Sequence, residues 1–313
     1  MEYRNLGRSG LMVSMVGIGT NNFGGRMDAD ATALVVNEAL DLGINLFDEA
    51  DVYGGRGKSE EFFGAAVKAR RHEAVIATKF GNSMGTAPMH SGGSRRWIVQ
   101  SVEDSLRRLQ TDYIDLYQMH RPDSQTPIEE TLRALDDLVS SGKVRYIGSS
   151  NYAGWQVAEA EFTSRANHFV PFVSSQVEYS LLNRDVEAEH IPAVERYGQS
   201  LLPYYPLASG MLTGKYRPGQ EAPAGTRLAT PGGQTDRFFT ERNLSVAQQL
   251  EVWATAHGHS LLELAFSWLA TKPYVASVIA GATKPEQVRS NATAAEWRLT
   301  AEEMKEVDAI TKA

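Results

Sequence analysis

Residues 47–54 read FDEADVYG, and they decide how the rest of the chain is understood. An apolar run, GINLF, delivers Asp48 to the mouth of a strand, and Tyr53 follows five residues later on a glycine-rich loop. A carboxylate and a phenol thus stand at the end of one buried strand. Taken alone, Asp48 would cap the next helix and Tyr53 would pack on its own loop. The choice turns on whether other strands deliver partners to the same place.

Outward from this strand, short apolar runs alternate with amphipathic stretches. Strands are expected at residues 16–19, 44–48, 74–79, 114–119, 144–149, 172–176, 200–204 and 275–280. Helical spacing of apolar residues joins Ala31, Leu34, Val35, Ala39 and Leu42, then Val102, Leu106 and Leu109, then Leu132, Leu135 and Leu138. Asp28 or Asp30, Thr126 with Pro127, and Lys284 with Pro285 stand where helices should start. Such alternation predicts parallel βα units, hence an α/β fold, and the strand count favours a closed (β/α)8 TIM barrel. An open, doubly wound sheet is the runner-up. Upstream, EYRNL, GRSG and LMVSM read as an N-terminal β-hairpin, an appendage to the core. Residues 81–94 and 217–240, rich in Gly, Pro and polar residues, follow strands and are expected as long loops over the C-terminal face.

The 313 residues suit one barrel domain spanning 1–313, since such barrels run to about 250 residues or more. Hydrophobic residues make up 42% and charged residues 22%, ordinary for a soluble globular chain. A net charge of −7 gives no global attraction for nucleic acid or an anionic membrane. The lack of cysteine excludes disulfides, thiolate metal sites and a cysteine nucleophile. The polar start, MEYRNLGRSG, has no apolar core of a signal peptide, and no apolar run would span a bilayer, so a cytoplasmic location is expected.

On a barrel, residues just past each strand converge on one face. The second strand brings Asp48 and Tyr53, the third Lys79 in ATKFG, and the fourth His120 in DLYQMHRPD. Singly, Lys79 reads as a solvated strand end and His120 as a helix cap or a satisfied core histidine. Jointly they suggest chemistry. A free phenol has a pKa of about 10, and a neighbouring ammonium lowers it, while Asp48 would keep Lys79 charged and in place. Tyr53 could then give a proton to a carbonyl oxygen or take one from an alcohol, and His120 could hold that oxygen. No metal cluster and no covalent nucleophile are expected. GIGTNNFGG, after the first strand, falls short of a dinucleotide fingerprint because Asn22 occupies the third glycine position. Thr20 and Asn21 are expected at the mouth of the site.

These three segments, in this order, resemble the tetrad segments of the aldo-keto reductases, and the likeness runs from the GIGT turn to the last strand and helix. It implies a TIM barrel that transfers hydride between NADPH and a carbonyl compound, with catalytic roles for Asp48, Tyr53, Lys79 and His120. YIGSSNY is similar to the pair that holds the nicotinamide carboxamide, Ser150 and Asn151 here. Gln176 in SSQVEYSLLNR is implied at the same amide. Tyr204, opening YYPLASGMLTGKY, matches the aromatic residue stacked on the nicotinamide. Tyr205, Pro206, Leu207, Ser209, Gly210, Leu212 and Lys215 fall in the pyrophosphate loop, with Thr226 and Arg227 closing over it. VIAGATKPEQVRSN resembles the segment at the adenosine half, with Gly281, Thr283, Lys284, Gln287 and Asn291. Lys284, at a helix start, suits a 2′-phosphate and makes NADPH the expected cofactor over NADH.

The chain also departs from the family pattern. Glu49 stands where threonine is usual, Tyr205 where serine is usual and Ala280 where proline is common. Asn21 and Asn22 replace a bulky aromatic that shapes the substrate pocket, and the short tail after Ala295 argues against a steroid substrate. The expected partner is a small carbonyl or alcohol, with no nucleic acid and no membrane. The family further includes potassium-channel beta subunits, which share GSSN-like, PLASG and PEQ segments, so the alternative is a cofactor-sensing regulatory subunit with little turnover. Those subunits replace the histidine, and His120 therefore favours an enzyme. An unrelated barrel enzyme acting on phosphorylated substrates would leave Tyr53, Lys79 and Tyr204 without roles.

Overall fold

The computed structural model describes residues 1–87, 89–229 and 232–312; Pro88, Thr230 and Pro231 in the two long loops, and Ala313, lie outside the described residues. Strands β1 (Tyr3–Asn5) and β2 (Met12–Ser14) form an antiparallel hairpin. Eight parallel strands follow: β3 (Val16–Gly19), β4 (Leu46–Asp48), β5 (Val75–Phe80), β6 (Ile114–Met119), β7 (Val144–Ser150), β8 (Ser174–Glu178), β9 (Ser200–Tyr204) and β10 (Val278–Gly281). Their order is β10-β3-β4-β5-β6-β7-β8-β9. The ring closes where Leu201 of β9 meets the chain before β10: its N–H donates to the Tyr274 carbonyl at 2.7 Å, and the Ala276 N–H donates to the Leu201 carbonyl at 3.1 Å. With helices between successive strands, this is the (β/α)8 barrel.

Helix starts follow local chemistry. Asp28 accepts from the Ala31 N–H at 2.9 Å and opens Ala29–Asp41, leaving Asp30 inside the first turn. Pro127 and Lys284 are the residues before Ile128–Ser140 and Pro285–Ala294. Three strands begin later than their apolar runs suggest. Ile44 donates its N–H to the Ala39 carbonyl at 2.8 Å and so finishes a helix end instead of joining the ladder. The β8 ladder lies at Ser174–Glu178, two residues beyond the start of the apolar run. Val275 makes only the closing bridge, and β10 begins at Val278.

Strand alternation builds two apolar layers. Ile18, Phe47, Ile76, Tyr117, Ile147 and Leu201 face the helices. Leu46, Val75, Ala77, Leu116, Leu202, Ala276 and Ile279 fill the barrel, and Leu6 and Val13 from the hairpin pack with them, both fully buried. The hairpin is therefore a plug for the barrel floor, not an appendage. Two residues farther along the same inward faces, the filling turns polar: Asp48 follows Leu46, Lys79 follows Ala77, and Gln118 follows Leu116. Parallel register places Lys79 beside Gln118 and Ser150 beside Gln176.

The two long loops behave differently. Residues 81–94 fold against the neighbouring loop and helix: Gly93 N–H donates to Asp123 at 2.8 Å, and His90 stacks on Trp97 with ring centroids 5.4 Å apart. None of their described residues lines the central cavity. The segment after β9, including Gly225, Thr226, Arg227, Gln234 and Arg237, supplies part of its wall.

Candidate active site

Asp48 ends β4 on the inward face and is 3% exposed. One of its oxygens, Oδ1, collects three donors: Lys79 Nζ at 2.7 Å, Gln176 Nε2 at 2.8 Å and Gln118 Nε2 at 3.4 Å. Lys79 is fully buried and also donates to the Glu49 carbonyl at 2.9 Å. Its ammonium lies 5.2 Å from the centre of the Tyr53 ring. Tyr53 in turn meets His120 edge-on, with ring centroids 6.0 Å apart and planes at 86°. Four groups from three strand ends thus form a continuous cluster, with Lys79 underneath and Tyr53 and His120 opening into the cavity.

A line of hydrogen bonds continues from His120. Its carbonyl accepts from Asn151 Nδ2 at 2.9 Å, and Asn151 Oδ1 accepts from the Tyr204 hydroxyl at 2.8 Å. Asn151 takes a left-handed backbone, φ 60°, which asparagine tolerates better than most residues. Its N–H reaches the Gln176 carbonyl at 2.9 Å, fixing the side chain between β6, β8 and β9.

Charge states follow from burial. The Lys79 pKa is displaced upward: burial opposes the charge, but Asp48 and the Tyr53 oxygen outweigh it. The Tyr53 phenol is pushed up to about 12, first by burial and only partly offset by Lys79. This differs from a phenol lowered by its ammonium; Asp48 spends much of the Lys79 charge, and desolvation wins. Tyr53 is only half-buried, so water in the cavity relieves part of that penalty. His120 is pushed down to about 3 by burial, with Lys79 and Arg121 adding to it, so its imidazole is neutral near pH 7. Its Nδ1 is buried and without a partner.

The cavity above the cluster measures about 650 Å3. Of the residues expected around a cofactor, Thr20, Asn21, Asp48, Ser150, Asn151, Gln176, Tyr204, Tyr205, Pro206, Leu207, Ser209, Gly210, Lys215, Thr226, Arg227, Gly281, Thr283, Gln287 and Asn291 line it. Leu212 is instead fully buried in the outer core, and Lys284 stands exposed off the wall at its helix start. The wall also holds residues that the sequence did not single out. Glu178 lies two past Gln176 on the same inward face, so strand alternation could have found it, whereas Arg121 directly follows His120 and reaches the wall against that alternation. Gln118, beneath the wall, shares its face with His120. Arg26 comes from a turn and Arg237 from the short helix Gly233–Phe238, and neither carries a periodic signal.

The wall fits a dinucleotide. It carries Arg26, Arg121, Lys215, Arg227 and Arg237 against two carboxylates, Asp48 and Glu178. Both are occupied, Asp48 by Lys79 and Glu178 by Arg237 at 2.7 Å, which leaves net positive charge for phosphates. Tyr205, Ala208 and Ser209 take left-handed backbone with φ 54°, 44° and 58°, next to Gly210 at 97°. Such strain in residues other than glycine gathers at ligand clamps. Ser209 Oγ donates to Gln234 Oε1 at 2.9 Å and so ties this turn to the loop above it.

The family model described as "Aldo/keto reductase family" matches residues 15–312. The chain belongs to the aldo/keto reductase family. Members of this family are oxidoreductases that generally use a nicotinamide cofactor. Among its relatives, a "probable voltage-gated potassium channel subunit beta" of Oryza sativa is 37% identical, covering 100% of this chain and 97% of the relative. The "L-glyceraldehyde 3-phosphate reductase" of Escherichia coli is 36% identical over 94% of this chain and 87% of its own length. An "uncharacterized oxidoreductase" of Bacillus subtilis is 36% identical over 99% and 96%. Identity alone does not separate the channel-subunit and reductase names. No described helix of this aldo/keto reductase is long and apolar enough to cross a membrane, and no group of three or more His, Cys, Asp or Glu among the described residues is placed to hold a metal ion.

Proposed function

We propose that this aldo/keto reductase reduces aldehydes or ketones with NADPH, and that Tyr53 donates the proton to the carbonyl oxygen. The observation that carries this reading is the placement of Tyr53 between the Lys79 ammonium and the neutral His120 on the floor of a cation-rich cavity. When bound, the nicotinamide supplies hydride. Asn151, Ser150 and Gln176 would orient its amide, and Tyr204 would cover one ring face. Lys79, held by Asp48, stabilises the phenolate left when Tyr53 gives up its proton, and His120 offers a hydrogen bond to the same oxygen. The pyrophosphate falls to the left-handed turn at Ser209 and Gly210 with Lys215 and Arg227, and the adenosine half to Gly281, Thr283, Gln287 and Asn291. Lys284, with no ion pair among the described residues, at the start of Pro285–Ala294, supports a preference for a 2′-phosphate.

Arg121 bears on the substrate. It lines the cavity beside His120 and makes no hydrogen bond or ion pair among the described residues. A carbonyl compound carrying an anionic group would engage it, consistent with the relatives named for reduction of a phosphorylated aldehyde.

The second reading, a cofactor-sensing subunit with little turnover, is favoured by the relatives named as channel subunits. Turnover separates the two. The wild type should oxidise NADPH with a reactive aldehyde, and Tyr53→Phe should lose about 100-fold or more of kcat while binding NADPH with unchanged Kd. Turnover that survives in Tyr53→Phe refutes the proton-donor role; absence of turnover in the wild type over a broad carbonyl panel refutes the reductase reading.

A further inference from the structure

The residue after Asp48 is a second carboxyl with no part in the chemistry above. Glu49 is fully buried. Its main chain belongs to the site, because its carbonyl accepts from Lys79 Nζ at 2.9 Å and its N–H donates to the Ala77 carbonyl at 2.8 Å. Strand alternation sends its side chain the other way, out of the barrel toward the helix Lys58–Val67. There Glu49 Oε2 lies 2.6 Å from Ser59 Oγ, and Ser59 Oγ lies 3.0 Å from the Thr20 carbonyl.

That geometry bears on a protonation state. A serine hydroxyl has one hydrogen and cannot make two linear hydrogen bonds with it at once. The Thr20 carbonyl can only accept. Both short contacts are hydrogen bonds when Glu49 carries a proton, donates it to Ser59 Oγ, and Ser59 donates to Thr20. The buried charges agree. Near Glu49 are Asp48 of β4, Tyr53 of the following turn, Glu60 of Lys58–Val67 and the Thr20 side chain, with Lys79 of β5 on its main chain; Asp51 and Arg108 of the helix Arg95–Leu109 lie beyond, around Glu60. Asp48 is matched by Lys79 and Glu60 by Arg108, at 2.7 Å each. Among the described residues Glu49 and Asp51 make no ion pair, and each has one buried oxygen without a hydrogen-bond partner. Burial, with Glu60 and Asp48 adding to it, pushes the Glu49 carboxyl up to about 8.

We propose that Glu49 is a positioning residue for proton transfer by Tyr53: as a neutral acid behind the Asp48–Lys79 pair it leaves the Lys79 charge directed at the phenol and ties Ser59 to the Thr20 wall. This rests on the reductase reading above. When Glu49 ionises, a second anion stands behind Lys79. It draws on the ammonium and raises the Tyr53 phenol further, which slows proton donation and phenolate formation alike. Ser59 then turns its hydrogen to the carboxylate, and the Thr20 carbonyl keeps only the Phe23 N–H, at 2.8 Å. The departure from a threonine at this position would thus give this chain an alkaline limit of its own.

The test uses the whole protein and the variants Glu49→Gln and Glu49→Leu. Glutamine keeps the shape and donates to Ser59 Oγ without titrating; leucine does neither. In the wild type, kcat for a reactive aldehyde should fall through a limb centred near pH 8. A drop of about tenfold between pH 7 and pH 9.5 is expected there, and less than about threefold in Glu49→Gln. Glu49→Leu should be slower at every pH, and only Gln should restore the rate. Infrared difference spectra give a readout apart from turnover: the band of a protonated carboxyl, lost between pH 6 and pH 9.5 in the wild type, should be smaller in Glu49→Gln at pH 6. Identical pH profiles in the wild type and Glu49→Gln, or an unchanged carboxyl band, overturn the proposal while leaving the reductase reading intact. A band that behaves as expected in a wild type that reduces no carbonyl compound refutes the reductase reading and the positioning role with it.

Discussion

Replacing Glu49 by Gln should change stability in a pH-dependent way, and the size of the effect follows from the burial of this one carboxyl. In the unfolded chain it titrates at 4.5, and in the folded protein burial holds its proton until about pH 8. Between those values the folded state binds more protons than the unfolded one. Raising the pH therefore favours unfolding, by about 1.4 kcal/mol per pH unit. The stabilisation is fully present below pH 4.5 and is gone once the pH passes about 8. Across the window this amounts to about 5 kcal/mol, an order-of-magnitude figure. Glutamine does not titrate, and its amide keeps the bond to Ser59 Oγ, worth about 1 kcal/mol. Urea unfolding of both proteins at pH 5, 6, 7 and 8 is the assay. The stability of Glu49→Gln relative to the wild type should rise by roughly 1 kcal/mol per pH unit up to about pH 8 and then level off. Asp51, also pushed up to about 8, titrates in both proteins and cancels in the difference. A difference that is flat from pH 5 to pH 8 would mean that Glu49 is ionised in the fold, and the argument from the single Ser59 hydrogen would fail with it.

Other expectations follow from the same geometry. Lys79→Met strips the charge partner from a buried Asp48, leaving it only the two glutamine amides, and should cost about 3–5 kcal/mol in urea unfolding besides turnover; a loss under about 1 kcal/mol would show that Asp48 takes up a proton instead. His120, neutral down to about pH 3, should contribute no break to kcat/KM between pH 5 and pH 8, so a break near 6.5 that vanishes in His120→Asn would contradict the assignment of a neutral imidazole. Arg121→Ala should raise KM for a phosphorylated aldehyde about tenfold or more while leaving a neutral aldehyde within about twofold, and equal effects on both would remove Arg121 from substrate recognition. Leu6→Ala opens a hole in the hairpin plug and should lower unfolding free energy by about 2–4 kcal/mol, whereas a negligible loss would mean that the barrel floor closes without the hairpin.

Much of the architecture was legible because each barrel strand repeats one pattern. Apolar runs bounded by helix starts gave all eight strands, and two-residue alternation carries Asp48 and Lys79 onto one inward plane. The hairpin was misjudged because its apolar residues, Leu6 and Val13, bury themselves against strands far away in sequence, a contact that no local pattern encodes. Gln118 was passed over because a buried glutamine in an apolar run has no signature of its own; its role becomes visible only once its amide is seen 3.4 Å from Asp48. The segment 81–94 has the composition of a loop over the C-terminal face, yet composition says nothing about which neighbour a loop bonds. Asp123 decides that, through the Gly93 N–H. The height of the Tyr53 pKa was also beyond the sequence, since it balances two effects of opposite sign and similar size, burial and the Lys79 charge.

The pair Asp48 and Glu49 shows how one strand gives adjacent carboxyls opposite surroundings. Alternation turns Asp48 into the barrel, where an ammonium and two amides converge on it. The same alternation turns Glu49 outward toward Glu60, whose charge is paired with Arg108, and no cation among the described residues pairs with Glu49, so the acid is favoured. A charge on Glu49 would add a second anion beside Asp48, acting through space against the phenol that must become a phenolate. The neutral state of Glu49 is therefore a condition for Lys79 to serve Tyr53.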